Sequence, residues 1–280
     1  MEHYELANIG KNEAGETSVV AKGEITAEQY LEIRGWFKFT YFYHVCQSIE
    51  HMTLESGGDL ANYFAELENY TGPFTKDYNK FLTTANKLLI SYLSFLRIYV
   101  DVVGHAISRR SKEKFEEFNN ATHIVYDTLL GYRFFSRMRN YVVHYDVPLT
   151  SITCSVSNGI QVTCKRKSLL EYNGWGSVKK EIEQLPEEID IFPFIGECQA
   201  AVKRLYLVAL ETIWDDVIKA NENLHDLCSK YAISAPIIIC VDESEQPHFE
   251  QLPLEHIKYY LEDLNQYPEY NITLIEPEHA

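Results

Sequence analysis

Seven apolar residues, Phe81, Ala85, Leu88, Tyr92, Leu96, Tyr99 and Val103, follow one another in steps of four, three, four, four, three and four. A helical period of 3.6 residues stacks such a series on one side, whereas a strand would scatter it over both faces. The spacing therefore predicts a long amphipathic helix, capped by Thr75, whose stripe is protein core. Arg109, Arg110, Lys112 and Lys114 follow it, suited to the negative end of a helix dipole. The fold class this predicts is mainly α.

The flanking segments extend that reading. Residues 1–24 lack periodicity and read as a polar arm or a pair of weak strands. Thr26 is placed to cap a helix, with Gln29 in capping-box position, and Tyr30–His51 carries large apolar residues at helical spacing. Gly57-Gly58 reads as a break before a shorter helix over 59–70, which Thr71-Gly72-Pro73 ends. Another helix spans about 112–146 and stops before Pro148. Thr150–Val156 and Ile160–Arg166 alternate apolar and polar residues around Ser157-Asn158-Gly159, the pattern of a β-hairpin. Trp175 between Gly174 and Gly176 marks a loop. A long helix follows Pro193, with Val202, Leu205, Ala209, Ile213 and Val217 on one face. The tail holds a short apolar run, Pro236–Val241, and a helix from Pro253 to Gln266. The organisation expected is a polar N-terminal arm (1–24), a helical bundle (25–232, with the hairpin at about 150–166) and an acidic C-terminal extension (233–280).

Charge narrows where chemistry can sit. The net charge is −16, but residues 1–167 carry 18 basic and 19 acidic side chains, against 7 and 22 in residues 168–280. Phosphate affinity comes from clustered Lys and Arg, so any nucleic-acid chemistry belongs to the first part of the chain. The acidic half reads as a solvated surface. No uninterrupted apolar run has the length of a membrane helix, and the N-terminus lacks the apolar core of a signal peptide, so the expectation is a cytoplasmic protein without a membrane partner. The six cysteines show no CxxC spacing and are expected reduced and mostly buried. A hairpin here could set Cys154 and Cys164 face to face as a zinc or redox pair, but a metal site wants more ligands at closer spacing; no metal and no cofactor is expected.

One segment concentrates reactive groups. On a helical wheel Arg133, Arg137, Asn140 and His144 fall within about 60° of one another, with Tyr126 on the same stripe two turns earlier. Phe134, Phe135, Met138, Tyr141 and Val142 occupy the opposite face. The helix then presents a polar ridge of two guanidinium groups, an amide and an imidazole, with Arg139 on its flank. Guanidinium forks hold phosphate oxygens bidentately, and an imidazole exchanges a proton near neutrality. The same groups equally suit a salt-bridged interface. His44, His51, His105 and His123 read as core or surface histidines, and no P-loop, GxGxxG, GxSxG or HExxH pattern is present.

Arg139-Asn140-x-x-x-His144, near the end of a helix in a mainly helical chain, resembles the R-[polar]-x(3–5)-H motif of the HEPN superfamily. The likeness covers about residues 75–146 and the later long helix, and leaves out the hairpin and the acidic tail. Tyrosine here follows the histidine directly as Tyr145, unlike the R-x(4)-H-x-Y form of some toxins. The resemblance implies an up-and-down helical bundle that dimerises so that two motifs face one cleft, and a metal-independent ribonuclease of toxin–antitoxin, phage-defence or RNA-processing type. It implies that His144 moves the proton of the 2′-hydroxyl or of the leaving oxygen, that Arg139 stabilises charge on phosphorus and that Asn140 orients one of them. Arg133, Arg137 and Tyr126 would hold the RNA backbone. An antitoxin or regulatory protein is the implied partner. Two further readings stay open: a silent HEPN-like module that binds nucleotide, RNA or protein, and a helical interaction protein whose Arg/His ridge is structural.

Overall fold

The computed structural model describes residues 3–11, 14–72, 78–155, 159–241 and 246–273. Along the chain lie β1 (His3–Lys11), β2 (Thr17–Ile25), α1 (Ala27–Trp36), α2 (Phe39–Glu68), α3 (Tyr78–Ser108), α4 (Lys112–Thr128) and α5 (Leu130–His144). There follow β3 (Leu149–Ser155), β4 (Gly159–Lys165), α6 (Arg166–Leu170), a 3₁₀ segment (Asn173–Val178), α7 (Lys179–Gln184) and β5 (Glu188–Ile189). The remainder is α8 (Phe192–Glu211), α9 (Trp214–Tyr231), β6 (Pro236–Val241), β7 (Pro247–Gln251) and α10 (Leu254–Leu264). The fold is mainly α with small antiparallel sheets.

The chain forms two compact units, Met1–His44 with Leu210–Ala280, and Val45–Ala209, so the boundaries fall inside α2 and α8. This divides the expected 25–232 bundle. In the first unit, residues 1–24 take the strand alternative rather than that of a free arm, and the acidic tail is not an appendage. The apolar run Pro236–Val241 is β6, and it pairs antiparallel with β1 in a sheet of order β2-β1-β6-β7. Leu6, Ala7 and Ile238 have no exposed surface, which explains why termini distant in sequence combine: neither strand covers its apolar face alone. Thr26 caps α1 as expected, with Gln29 N–H donating to Thr26 Oγ1 at 3.2 Å and Thr26 N–H to Gln29 Oε1 at 2.9 Å. The last helix begins at Leu254, after Pro253.

The second unit is built on α3. Ala85, Tyr92, Leu96, Tyr99 and Val103 of the apolar stripe are buried, and Phe81 and Leu88 are half-buried. Leu89, Leu93 and Ile107 widen the stripe into a face. One 18-residue window of α3 has a mean hydropathy of 1.3, enough by length and composition for a membrane span; here that apolarity lines a protein core. Thr75, the expected cap, lies outside the described residues. Val202, Leu205 and Ala209, on the predicted face of the late helix, are buried in this unit as well.

Four helix boundaries differ from the reading by periodicity. The stretch Tyr30–His51 is shared between α1 and α2, parted at Phe37-Lys38. The Gly57-Gly58 break does not occur: α2 continues through it to Glu68. A Cβ on Gly57 would lie 2.8 Å from the Tyr92 ring, so this glycine lets two helices approach closely, and packing overrides its low helix propensity. The helix expected over 112–146 is two, parted at Leu129, whose extended backbone (φ −111°, ψ 111°) interrupts it. The helix after Pro193 is likewise parted between Glu211 and Trp214. The hairpin forms as β3 and β4, although Ser157-Asn158 of its turn lie outside the described residues. Its register opposes Cys154 to Ile160 and Cys164 to Leu149, so the two cysteines do not face each other.

Candidate functional site

α5 is held by its apolar face. Phe134 and Phe135 have no exposed surface, nor has Met138. Phe134 stacks on Trp175 at 5.6 Å between ring centroids, and Tyr141 stacks on it at 5.7 Å. Trp175 is itself fixed by an Nε1–H donated to the Leu169 carbonyl at 2.6 Å. Trp175, in a 3₁₀ segment where the flanking glycines predict a loop, is thus the support on which α5 rests. No side chain at Leu129 caps the helix. Instead Glu197 of α8 accepts the Gly131 N–H at 2.7 Å, a carboxylate at the positive end of the dipole. At the other end Asn86 of α3 clips the chain after Pro148, accepting Leu149 N–H at 3.1 Å and donating to Leu149 O at 2.8 Å. Aromatic packing and these two polar ties fix which way the α5 ridge points.

The members of that ridge have separate fates. Arg133 turns to Glu181 of α7, with Nε–H donated to Oε2 at 2.8 Å and Oε1 at 3.0 Å and a further short contact from Nη2 to Oε1. Its Nη1 donates to the carbonyls of Tyr126 and Asp127 at 3.2 and 3.0 Å, near the C-terminus of α4. The hydrogen bond from Arg133 holds the Glu181 carboxyl below its ordinary range and raises the guanidinium. Arg137 donates Nε–H to the Tyr126 hydroxyl at 3.0 Å, with its guanidinium 6.0 Å from the tyrosine ring centroid. Among the described residues, Arg139 reaches only its neighbour, Nη1 to Asn140 Oδ1 at 3.5 Å, the outer limit for such a bond. His144 is exposed at the end of α5. Among the described residues, Arg137, Arg139 and His144 are not ion-paired with a carboxylate.

Arg137, Arg139 and Asn140 line a cleft of about 720 Å³ between α3, α4 and α5, and Tyr126 lines it too. Leu93, Leu96, Tyr132 and Phe135 contribute its apolar floor. Arg97 of α3 also lines it, paired with Asp101 at 2.8 Å. Three arginines therefore face one aspartate here, in a chain of net charge −16. Arg133 and His144 are not among the lining residues. The structure thus brings together Tyr126, Arg137, Arg139 and Asn140, and leaves the other two ridge residues apart: Arg133 in its ion pair, His144 one turn beyond Asn140.

The cleft contains residues that reading α5 alone missed. Asn119, Thr122, His123 and Tyr126 of α4 line it at helical spacing, and His123 reads in the sequence as a lone core or surface histidine. The signal was the polar stripe at steps of three, one and three, ending on the tyrosine already assigned to the ridge. In the other unit, His3 and Glu5 on β1 and Glu24 on β2 form a second group overlooked in the sequence. His3 Nε2 lies 3.0 Å from Glu5 Oε1 and 3.9 Å from Glu24 Oε1, and the sheet register opposes Glu5 to Glu24. These donors all lie within 4.8 Å of one another and could hold a divalent ion.

No protein-family model, curated protein or solved structure matches this chain.

Proposed function

We propose that this chain is a HEPN-like, metal-independent endoribonuclease whose working residues are Arg139, Asn140 and His144. The observation that carries the reading is that Arg139 and Asn140, adjacent in the motif, open side by side on a cationic cleft in an otherwise acidic protein. A structural ridge would spend its arginines on carboxylates, and only Arg133 does so fully. Among the described residues, no acidic side chain is ion-paired with Arg137 or Arg139, which leaves both guanidinium groups available to a phosphate.

In the proposed reaction the ribose 2′-oxygen attacks phosphorus and the bond to the 5′-oxygen breaks. The products are a 2′,3′-cyclic phosphate and a 5′-hydroxyl end. The 2′-hydroxyl proton passes to a base and the departing 5′-oxygen receives one. His144 serves one of these transfers, a contribution of roughly 10²–10⁴-fold for a positioned acid or base. Arg139 stabilises the charge that gathers on the phosphoryl oxygens, and Asn140 hydrogen-bonds the phosphate or the imidazole. His144 stands beyond the cleft of its own chain, so a homodimer that sets two motifs against each other would complete the pair. An antitoxin-like protein covering that face is the partner such an activity calls for.

A second reading, RNA binding without cleavage, is favoured by the same displacement of His144. Single-stranded RNA incubated with the native protein and with His144→Ala separates the two. Cleavage by the native protein that the substitution abolishes supports the nuclease; equal cleavage by both sinks the assignment of His144.

A further inference from the structure

His144, the imidazole of α5, does not line the cleft, yet the cleft has an imidazole of its own. His123 comes from α4, and it lines the same cavity as Arg137, Arg139 and Asn140. It is exposed, and among the described residues no carboxylate is ion-paired with it. We infer that His123 completes, within one chain, a binding site for the phosphate of a ribonucleotide unit: Arg137 and Arg139 hold the phosphate oxygens, and the imidazole of His123 donates to one of them from the opposite wall. The inference rests on the proposed RNA-directed function and adds a binding residue that the α5 motif does not contain.

Three features of the cleft support that occupant. Its volume of about 720 Å³ lies in the range of sites for small organic ligands, large enough for a nucleotide and too small for a folded domain. Its walls are mostly polar donors, with the amides of Asn119 and Asn140 beside the guanidinium groups, while Leu93, Leu96 and Phe135 form an apolar base. An anion with several acceptor oxygens satisfies such a set; an uncharged apolar molecule would strand it. Arg137 is pre-oriented by the Tyr126 hydroxyl, so little side-chain freedom remains to be lost when the phosphate arrives.

The roles of the two histidines then separate: His123 binds in every chain, and His144 transfers a proton. The test uses the full-length protein and a single-stranded RNA oligonucleotide made uncleavable by 2′-O-methylation, with inorganic phosphate as competitor. His123→Ala should weaken oligonucleotide binding by about tenfold or more, a loss comparable to that of one charge-assisted hydrogen bond. His123→Gln, which keeps a donor, should recover part of it. Arg139→Ala should lower the slope of log affinity against log salt by about 0.7, the value for one lost phosphate contact on a single strand. The exposed control His51→Ala should bind as the native protein does, and phosphate should displace the oligonucleotide from all binding-competent forms. Native-like melting of each variant guards against misfolding. Undiminished binding by His123→Ala overturns the inference and leaves the nuclease reading standing. Loss of binding in His144→Ala with His123→Ala unaffected overturns it too. Absence of RNA cleavage by the folded native protein would instead refute the nuclease reading, and continued cleavage by His144→Ala the assignment of His144, independently of any binding result.

Discussion

The Arg137 Nε–H donates to the hydroxyl of Tyr126 at 3.0 Å, across the junction between α4 and α5. That bond decides where the guanidinium points, because one turn earlier the same ridge sends Arg133 to Glu181 instead. Tyr126→Phe keeps the ring and removes the bond. The expected result is a few-fold loss of RNA affinity with unchanged salt slope, since no charge is lost. Filter binding at several salt concentrations reads both quantities. An unchanged affinity would mean that Arg137 needs no help to face the cleft.

Arg133 and Glu181 form a polar brace, not a phosphate contact, in this account. Their side chains are 18% and 33% exposed, so the pair is worth less than a buried one and more than a surface one. Arg133→Ala should cost about 1–2 kcal/mol by denaturant unfolding, since it also abandons two carbonyls near the end of α4. The Glu181 carboxyl is depressed below its ordinary 4.5 by the bond from Arg133. Its contribution is therefore present above pH 4.5 and disappears as the pH falls through the folded value. Glu181→Gln should flatten that acid limb of the stability profile.

Tyr92 carries a buried hydroxyl that, among the described residues, has no hydrogen-bond partner. Tyr92→Phe should therefore be neutral or stabilising by up to about 1 kcal/mol, because the desolvated hydroxyl disappears without leaving a lone partner. Gly57 abuts that ring, so Gly57→Ala should destabilise by about 1–3 kcal/mol despite the better helix propensity of alanine. Thermal unfolding of the two variants should move in opposite directions; a Gly57→Ala protein more stable than native would contradict the packing described.

His44 of α2 and His256 of α10, both in the first unit, meet through their Nε2 atoms, with ring centroids 4.4 Å apart and nearly perpendicular. A bond between two such nitrogens needs one of them bare. Burial, and then His256, lower the pKa of His44 from 6.5. A histidine depressed in the folded state favours the neutral form, so the contribution is fully present above pH 6.5. It is lost as the pH falls from there through the folded value. Melting temperature measured from pH 8 to pH 5 should fall across that window in the native protein and fall less in His44→Asn.

What the sequence made legible, and what it did not, follows from the range of the forces involved. The α3 stripe, the Thr26 cap and the β3–β4 hairpin rest on contacts a few residues apart, and each is present. The pairing of β1 with β6 joins residues more than two hundred positions apart, and no local periodicity announces it. Gly57 was read by propensity, which a tyrosine from another helix overrules. At the site, the wheel sets Arg139 on the flank of the ridge that carries His144, a displacement that is geometry within one helix, and only Arg139 lines the cleft. It did not reveal Arg97 and His123, which reach the cleft from neighbouring helices. Nor did it distinguish Arg133 from Arg137, since both lie on one stripe and only the tertiary position of Glu181 tells them apart.

The central claim is that α5 carries a phosphodiester-cleaving motif. The most direct measurement is the end chemistry of a single-stranded RNA incubated, in the presence of chelator, with the native protein, Arg139→Ala and His144→Ala. The native protein should leave 2′,3′-cyclic phosphate and 5′-hydroxyl ends, with each substitution lowering the rate by about a hundredfold or more. Native-level cleavage by His144→Ala, or no cleavage of any RNA by the folded native protein, would contradict it.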